Sequence, residues 1–461
     1  MSPRKSAGRQ ADPLTALQRQ MTADKVEFVR FEQSDTHGIS RSKTIPAGHV
    51  RDFAAGGLNF VLGHLGFSVQ TDLAPNTGYL EELGFPDSRI LPDLSTYRVL
   101  PWADRTARLL CEPYFVDGRP AMAAPRAIAR KLLAELAEVG YRLFSGFEYE
   151  FYVINRDTRR PAFPGVQLLA TLRNNFDEPF IHETLRGMRA VGIDILAAHA
   201  EAGPGQMEIS FAPREGLEAA DDAFTFKTGL KEIAQRHGYL ASCMTRPYAD
   251  QSANGCHFHQ NLLNIKTGRN AFVDAHGSWT DVWRWWLGGQ IVHATALCAL
   301  AAPTVNCPKA FGFSPVAPTT VAWGSENRTA AFRMKYVGTQ SGHIENRLPR
   351  GASNPYLVMA GTVAAGLDGL KNKTEPPGEA KGIAHDATGI TRLPVRLEHS
   401  IAALEGDKAL REALGEEFIK LFLAVKRHEI AKARAAIPAY DSSDFSTTVS
   451  EWEWNEYFEF L

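Results

Sequence analysis

The sequence lacks several features that would assign a protein to a class at once. Its 461 residues include only five cysteines, and none of them forms the Cys-x-x-Cys spacing of a zinc site. Fifty Lys and Arg residues nearly balance 52 Asp and Glu residues, so the net charge of -2 favours neither a nucleic-acid nor an anionic-membrane partner. The longest apolar run, around residues 293–305, is too short to span a bilayer and is predicted to be a buried helix. No GxxxxGK[ST] segment occurs, which disfavours a P-loop mechanism.

The residues that are present indicate a globular protein with a substantial core. Hydrophobic residues make up 44% of the chain and charged residues 22%, which leaves room for two or three domains. Scattered cysteines in odd number suit reduced thiols, and residues 1–20 lack the apolar segment of a secretory signal. We therefore expect a flexible tail over residues 1–20 and a cytoplasmic location.

The chain changes character near residue 116. Residues 21–116 are rich in short strand-like runs and in Gly and Pro turns, which predicts a small mixed domain. Residues 117–461 begin with a helical pattern over 124–140 and then alternate predicted strands with predicted helices. The predicted strands are 147–154, 207–212, 257–263 and 344–348, and the predicted helices are 216–237, 279–301, 355–369 and several within 396–435.

Acidic residues interrupt the apolar pattern of the predicted strands. In "GFEYEFYV" (146–153), side chains alternate across the strand, so Glu148 and Glu150 share the face opposite the apolar residues. An isolated Glu-x-Glu of this kind usually faces solvent. The same half-polar pattern recurs around Glu208, His257 and Glu345, which favours one shared polar face over four separate exposed ones.

If these strands lie in one sheet, five carboxylates and two histidines converge on it. They are Glu148, Glu150, Glu201, Glu208, Glu345, His257 and His259. Such a charge density persists only when cations neutralise it, and Mg²⁺ or Mn²⁺ suits oxygen-rich ligands with an imidazole. Nearby Arg328, Arg333 and Arg347 then indicate phosphoryl chemistry, with a nucleotide as the predicted ligand.

Seven segments, in this order, resemble the glutamine synthetase family over about residues 21–461. They are "DTHGISRSKTIP" (35–46), "ARLLCE" (107–112), "GFEYEF" (146–151), "EAGPGQMEISF" (201–211), "NGCHFHQNL" (254–262), "APTTVAWGSENRTAAFR" (317–333) and "IENRLPRGASNPYL" (344–357). The resemblance implies an α+β fold, with a small N-terminal β-grasp domain (21–116) and a large catalytic domain (117–461) built on a curved antiparallel sheet. It also implies a homo-oligomer, a dodecamer of two hexameric rings, with active sites shared between subunits.

The resemblance assigns roles to individual residues. It implies two or more Mg²⁺ or Mn²⁺ ions per site, one held by Glu150, Glu201 and Glu208 and the next by Glu148, His257 and Glu345. It implies ATP as the nucleotide, with His259, Arg333 and His343 near its phosphates and Arg328 as a catalytic residue. Arg347, Glu150, Ala253 and Val316 would bind the substrates. Asp35 of a neighbouring subunit and Glu201 are the candidate bases that deprotonate the amine.

Among the positions that depart from the usual pattern of the family, three bear on the substrates. Ala310 stands where an arginine binds glutamate, and Lys309 beside it offers only a point charge. Val316 stands where a lid glutamate stabilises ammonium, and His343 replaces a phosphate-contacting arginine. Since Val316 offers an apolar surface, we expect an organic amine in place of ammonium.

The sequence thus predicts an ATP-dependent ligase that joins the γ-carboxylate of glutamate to an organic amine through an acyl phosphate. Four alternatives remain: a true glutamine synthetase, a ligase for another carboxylic acid, a non-catalytic structural or regulatory oligomer like the lens-type members, and a kinase of guanidino or amino groups. The six intact metal positions argue against the non-catalytic one, because a scaffold has no use for that charge.

Overall fold

The computed structural model describes residues 12–461, apart from the Asp386 side chain, and contains two β-sheets. The first sheet has six strands in the order β2-β1-β6-β4-β3, with β5 beside β6. Its strands are β1 (Phe28–Ser34), β2 (Ser40–Pro46), β3 (Leu58–Val61), β4 (Asp87–Pro92), β5 (Arg98–Val99) and β6 (Thr106–Phe115). β1 and β6 run parallel and the other pairs run antiparallel.

A helix begins where the flexible tail was predicted. Helix α1 (Pro13–Ala23) starts with a proline in its first turn, and it packs Leu17 and Met21 into the core of the small sheet. The two buried side chains are four residues apart and therefore lie on one face of the helix. Residues 13–20 are thus part of the fold. Residues 1–11 of the predicted tail lie outside the described residues.

The second sheet carries the predicted acidic strands. Its main path is β13-β14-β15-β12-β7-β9-β8, with β10 and β11 also paired to β7. Its strands are β7 (Tyr141–Asn155), β8 (Ile195–Ala200), β9 (Gln206–Phe211), β10 (Arg214–Glu215), β11 (Tyr239–Ser242), β12 (Cys256–Asn264), β13 (Trp323–Ser325), β14 (Phe332–Lys335) and β15 (His343–Asn346). The pairs are antiparallel except for β13 and β14, which run parallel at the edge. The predicted α+β class is confirmed.

Helices cover the apolar face of the large sheet and form the C-terminal part of the chain. After α1 they are α2 (Val50–Gly56), α3 (Pro125–Glu138), α4 (Thr171–Asn174), α5 (Glu178–Ala190), α6 (Glu218–Arg236), α7 (Asp281–Val292), α8 (Ala294–Ala301), α9 (Pro355–Asn372), α10 (Leu397–Gly406), α11 (Lys408–Leu414), α12 (Glu416–Ala436) and α13 (Glu451–Tyr457). The helix predicted over 279–301 is two helices, α7 and α8, that meet at His293.

Aromatic residues on one face of β7 pack into the core, so the polar face of the strand is available to the candidate site. Tyr149 on β7 is fully buried, and its ring lies 5.7 Å from that of Phe226 on α6. Phe147 packs on Phe258 of β12 with ring centroids 4.7 Å apart. These aromatic contacts fix which face of the sheet points inward, so Glu148 must point to the other side.

Helices α7 and α9 pack with almost no space between their backbones. A Cβ atom at Gly289 would lie 2.1 Å from the carbonyl oxygen of Ala365, and one at Gly369 would lie 2.1 Å from that of Trp285. Only glycine allows this approach. Across residues 12–461, no helix combines the length and the apolar character needed to cross a membrane.

Candidate functional site

The strand register brings the predicted acidic and histidine side chains onto one face of the large sheet. Glu148 on β7 is paired with His257 on β12, and His259 on β12 is paired with Glu345 on β15. On the other side of β7, Glu150 is paired with Glu208 on β9. Directly opposed residues of antiparallel strands point to the same side, so the four strands present their polar side chains together.

Glu148, His257 and Glu345 form the first group of potential metal ligands. One ligand atom from each lies within 4.8 Å of the others. The Nδ1 atom of His257 lies 2.8 Å from Glu148 Oε1 and 3.6 Å from Glu345 Oε1. This is the set that the sequence predicted for one of the two ions.

The second group contains a histidine that the sequence analysis missed. His199, Glu201 and Glu208 place ligand atoms within 4.8 Å of one another. His199 Nε2 lies 3.2 Å from Glu201 Oε1 and 3.6 Å from Glu208 Oε1. His199 lies on β8, a strand that we did not predict. Its position two residues before Glu201 was the available signal, because alternate residues of a strand share a face.

Glu150 differs from its predicted role as a direct partner of Glu201 and Glu208. Its Oε2 atom accepts hydrogen bonds from the Gly255 backbone N–H at 2.9 Å and from Gln206 Nε2 at 3.2 Å. Glu150 still lines the same cavity, next to both groups. Its membership of a metal site stays a prediction.

The electrostatics of the second group and of the adjacent Glu150 fit a divalent cation. Burial and the neighbouring carboxylates, Glu201 foremost, raise the pKa of Glu150 to about 8. Burial and the charges of Glu148, Glu150 and Glu201 raise the pKa of Glu208 to about 9. Bringing such acids together is unfavourable unless a positive charge lies between them, and carboxylates with imidazole are ligands that Mg²⁺ and Mn²⁺ accept.

Both groups open into one cavity of about 510 Å³. Its lining combines the acids with four arginines: Arg328, Arg333, Arg347 and Arg350. Another part of the wall is apolar: Leu168, Leu169, Phe313, Val316 and Ala317. Ala253 and Ala310 also line it. A cavity that joins potential cation ligands to guanidinium groups suits an anionic substrate, and the apolar wall suits a second, uncharged group.

Two of the predicted arginines are held by the same carboxylate. Arg333 Nη1 donates to Glu345 Oε2 at 3.1 Å, and Arg347 Nη1 donates to Glu345 Oε1 at 2.5 Å. Burial opposes ionisation of Glu345, but the charges of His257, His259 and Arg347 outweigh it and lower its pKa to about 2. Glu345 therefore stays ionised and positions both guanidinium groups at the cavity. Arg328 is exposed at the cavity mouth.

The two remaining histidines of the prediction contact each other beside the acids. His259 Nδ1 lies 3.1 Å from His343 Nε2, and His259 Nε2 lies 3.5 Å from Glu148 Oε2. Burial and the charge of His259 lower the pKa of His343 to about 4, so His343 is neutral at pH 7. Unlike the arginine of the family pattern, it therefore offers no positive charge to a phosphate.

Two predicted residues lie elsewhere. Asp35 lies in the turn between β1 and β2, where its carboxylate accepts from the backbone N–H groups of His37 and Ile39 and from Arg41 Nε. A role at the site of a neighbouring subunit stays a prediction. Lys309 is not available as a substitute for the missing arginine, because its Nζ atom is buried and lies 2.7 Å from Glu453 Oε1.

Comparisons with known proteins give the family of this chain. The family model "Glutamine synthetase, catalytic domain" matches residues 122–457. Human lengsin is 36% identical over 438 residues, which cover 91% of this chain and 83% of that protein. The gamma-glutamylethanolamide synthetase GlnA4 of Streptomyces coelicolor is 33% identical, with 95% of this chain and 94% of that one covered.

A solved structure, "GmaS/ADP complex-Conformation 1", superposes with a TM-score of 0.81 at 28% identity. The superposition covers 95% of this chain and 98% of the other. Since the family model covers most of the sequence and the relatives align over nearly all of it, the chain belongs to the glutamine synthetase family.

Proposed function

We propose that the protein is an ATP-dependent ligase that joins the γ-carboxylate of glutamate to an organic amine, with ADP and phosphate as the other products. The observation that supports this proposal is the cavity, in which two groups of potential cation ligands and four arginines lie beside an apolar wall. A relative whose name states gamma-glutamylethanolamide synthesis supports the same reaction class.

The residues of the cavity would have two roles, to bind the cations and to position the substrates. Glu148, His257 and Glu345 would hold one divalent ion, and His199, Glu201 and Glu208 would hold another, with Glu150 beside them. Bound there, the ions would neutralise charge between the γ-phosphate of ATP and the carboxylate. Arg333 and Arg347, oriented by Glu345, are placed to bind anionic oxygens. The carboxylate would be activated as an acyl phosphate, which the amine then attacks.

The amine must lose a proton before or during the attack. Glu201 lines the cavity and is a candidate base in this chain. Asp35 of a neighbouring subunit is the other candidate from the sequence. The base has to lie within hydrogen-bond distance of the amine nitrogen, so Glu201 in this role would place the nitrogen near the second group of ligands.

The apolar wall favours an organic amine over ammonium. Val316 is 47% exposed in the isolated chain and stands at the cavity with Leu168, Leu169 and Phe313. An alkyl or aryl substituent that covers these side chains would gain about 25 cal/mol for each Å² of apolar surface removed from water. Ammonium has no such surface, and the wall offers it no carboxylate.

Phosphate release measures this function directly. The protein is incubated with Mg²⁺, ATP, an acid and an amine, with glutamate and other carboxylic acids crossed against ammonium, alkylamines, ethanolamine, polyamines and anilines. We expect release that requires both glutamate and one class of organic amine, and that is weak with ammonium. Release that is fastest with ammonium would identify a true glutamine synthetase, and release with another acid would change the acid substrate.

Substitution of Val316 tests the apolar wall. Val316→Glu should improve the use of ammonium by about tenfold, because a carboxylate at this part of the cavity wall attracts a small cation. Val316→Gln is the matched control, with the same shape and no charge. Equal ammonium use by the two variants would contradict the role given to Val316.

A non-catalytic structural oligomer is the second candidate. It is favoured by the identity to human lengsin, 36%, which exceeds the 33% identity to the ethanolamide synthetase. The retained cation ligands favour catalysis. Absence of phosphate release with every acid and amine, in a protein that still binds Mn²⁺ and ATP, would support the structural candidate.

We also propose a cytoplasmic homo-oligomer, a dodecamer with sites between subunits. The five free cysteines, all buried, suit a reducing compartment. The division into domains at residues 116 and 117 is proposed as well, since β6 ends at Phe115 and α3 begins at Pro125.

A further inference from the structure

Arg350 is a cavity residue without a role in the sequence analysis. It follows the end of β15 by four residues and lines the cavity together with Arg347 and Ala310. Only 5% of its surface is exposed. The guanidinium is therefore largely removed from bulk water at the edge of the cavity.

Within residues 12–461, the Arg350 side chain has no carboxylate at ion-pair distance, and its Nε and Nη2 atoms have no hydrogen-bond partner. Arg126 shows how the protein satisfies a buried guanidinium elsewhere. Its Nε and Nη2 atoms both donate to Asp221 at 2.9 Å, and its Nη1 atom donates to Glu112 at 2.8 Å. A buried charge without such partners is unfavourable.

The position of Arg350 is fixed by its surroundings. Its guanidinium lies over the Phe311 ring, 4.4 Å from the centroid. Its backbone N–H donates to the Ala301 carbonyl at 2.8 Å, and the residue forms a β-bridge with Gly255. A planar cation that rests on an aromatic face keeps its edge free for an anion. Burial lowers the pKa of Arg350 to about 10, so the group is still positively charged at pH 7.

The neighbourhood of Arg350 suits one end of an amino acid. Gly255, which bridges to Arg350, also donates its N–H to Glu150. A carboxyl group and a guanidinium group thus flank the same backbone segment. A carboxyl oxygen can accept from an ammonium group, and a guanidinium can donate to a carboxylate on the same carbon. Ala310, at the cavity wall beside Phe311, has no charge to offer, and Lys309 is paired with Glu453.

We propose that Arg350 binds the α-carboxylate of the acid substrate, the one that is not joined to the amine. This inference rests on the proposed function, because it places the reacting carboxylate at the cation ligands. It makes Arg350 a substrate-positioning residue that replaces the charge missing at Ala310. It also restricts the substrate to acids with a second carboxylate.

Binding of two acids tests the proposal without turnover. Glutamate and 4-aminobutyrate, which is glutamate without the α-carboxylate, are titrated by calorimetry in the presence of Mg²⁺ and a non-hydrolysable ATP analogue. The variants are Arg350→Met, which keeps the length, Arg350→Lys, which keeps the charge, and Arg269→Met, an exposed loop control. A charge-assisted hydrogen bond is worth about ten- to a hundredfold in affinity.

We expect Arg350→Met to weaken glutamate binding by about ten- to a hundredfold and to leave the affinity for 4-aminobutyrate unchanged. Arg350→Lys should recover part of the loss, and Arg269→Met should match the wild type. Thermal unfolding without ligands should show Arg350→Met to be no less stable than the wild type, whereas a merely structural arginine would lower the melting temperature.

Unchanged glutamate affinity in Arg350→Met, an equal loss for both acids, or a wild type that does not bind glutamate would each overturn the proposal. The phosphate-release assay separates it from the proposed function. Arginine-dependent glutamate binding without turnover on any amine would overturn the ligase function and keep Arg350 as a carboxylate site. Turnover with glutamate that Arg350→Met leaves unchanged would overturn the role of Arg350 and keep the ligase function.

Discussion

Glu148 and Glu150 are separated by one residue, yet their surroundings differ. Glu148 contacts His257 and His259, which favour its ionised form. Glu150 contacts Gly255 and Gln206, and burial with the nearby acids favours its protonated form. Strand alternation predicted that both point to one face. It could not predict the difference, because the difference depends on which strands lie on either side of β7.

Two residues of the cavity outside the predicted strands were not predicted. His199 lies in "ILAAHA", where small residues give no clear alternation, and Leu196 on that strand is 64% exposed. Arg350 lies beyond a strand, where no periodicity constrains a side chain. The structure identifies both residues, because it shows which segments of the chain line the cavity.

Removal of one proposed cation ligand tests the second group. Glu208→Gln should weaken Mn²⁺ binding by about tenfold or more, since a ligand is lost. Without cations the variant should be at least as stable as the wild type, because folding raises the pKa of Glu208 and so costs free energy at neutral pH, a cost that Gln does not carry. Electron paramagnetic resonance of free Mn²⁺ measures the first effect, and thermal unfolding measures the second.

The control is Glu215→Gln on β10, since Glu215 is half-exposed and paired with Arg142 on the same sheet. Equal Mn²⁺ binding by the two variants would show that Glu208 is not a ligand.

At the scale of elements, the helix pattern was readable from sequence but its interruption was not. Residues 279–301 have one continuous apolar pattern, yet α7 and α8 are separate. His293 lies between them, and its two ring nitrogens contact Asp407, 2.6 Å away, and Asp368, 3.1 Å away. Contacts with residues more than seventy positions along the chain are not visible in a local pattern.

The His293 contacts predict a pH dependence of stability. Burial disfavours the imidazolium, but hydrogen bonds and charges of Asp407 and Asp368 outweigh it and raise the pKa of His293 above its ordinary value. The stabilisation is therefore complete below the unfolded-state pKa, about 6.5, and is lost as the pH rises through the folded-state pKa. His293→Gln should cost about 1–3 kcal/mol at pH 6 and less at pH 9.

Urea unfolding of both proteins across this pH range measures the difference. The exposed His276→Gln serves as the control. A difference that is constant with pH would contradict the ion pairs.

The glycine contact of α7 and α9 predicts a packing defect. Gly289→Ala should destabilise the protein by about 1–3 kcal/mol or more, because the added methyl group meets the α9 backbone and the helices must separate. Gly406→Ala, in α10 with open space around it, should be neutral or stabilising. Chemical denaturation of the two variants gives the comparison, and equal stabilities would argue against the close packing.

At the scale of the whole molecule, the order of the motifs predicted the architecture. Two sheets, one small and one large, follow one another as expected, and the parallel pair β13 and β14 at the edge departs from the antiparallel pairing predicted for the large sheet. Sequence patterns do not state pairing direction for strands of three or four residues. The assembly of subunits depends on surfaces that a single chain does not specify.

A shared site predicts complementation between inactive variants. Asp35→Asn and Glu345→Gln should each lose most of the activity, one through the turn of a neighbouring subunit and the other through the cation ligands. When the two variants are co-expressed, the mixed oligomer should regain part of the activity. Some of its sites would combine the intact turn of one variant with the intact sheet of the other. Activity measurements on the mixed oligomer test this, and its mass should be twelve times the 50.8 kDa of one chain. A mixture as inactive as its parents would exclude a shared site.

The neighbouring positions of β9, β7, β12 and β15 in the large sheet also bear on how the chain folds. Glu148 and Glu345 are distant in sequence, so they meet only after long loops have closed, at an entropic cost that precedes any favourable contact. The last step of folding then brings the negatively charged carboxylates close to one another. Divalent ions would lower that barrier as well as fill the finished site, so refolding from urea should be faster in magnesium than in a chelator.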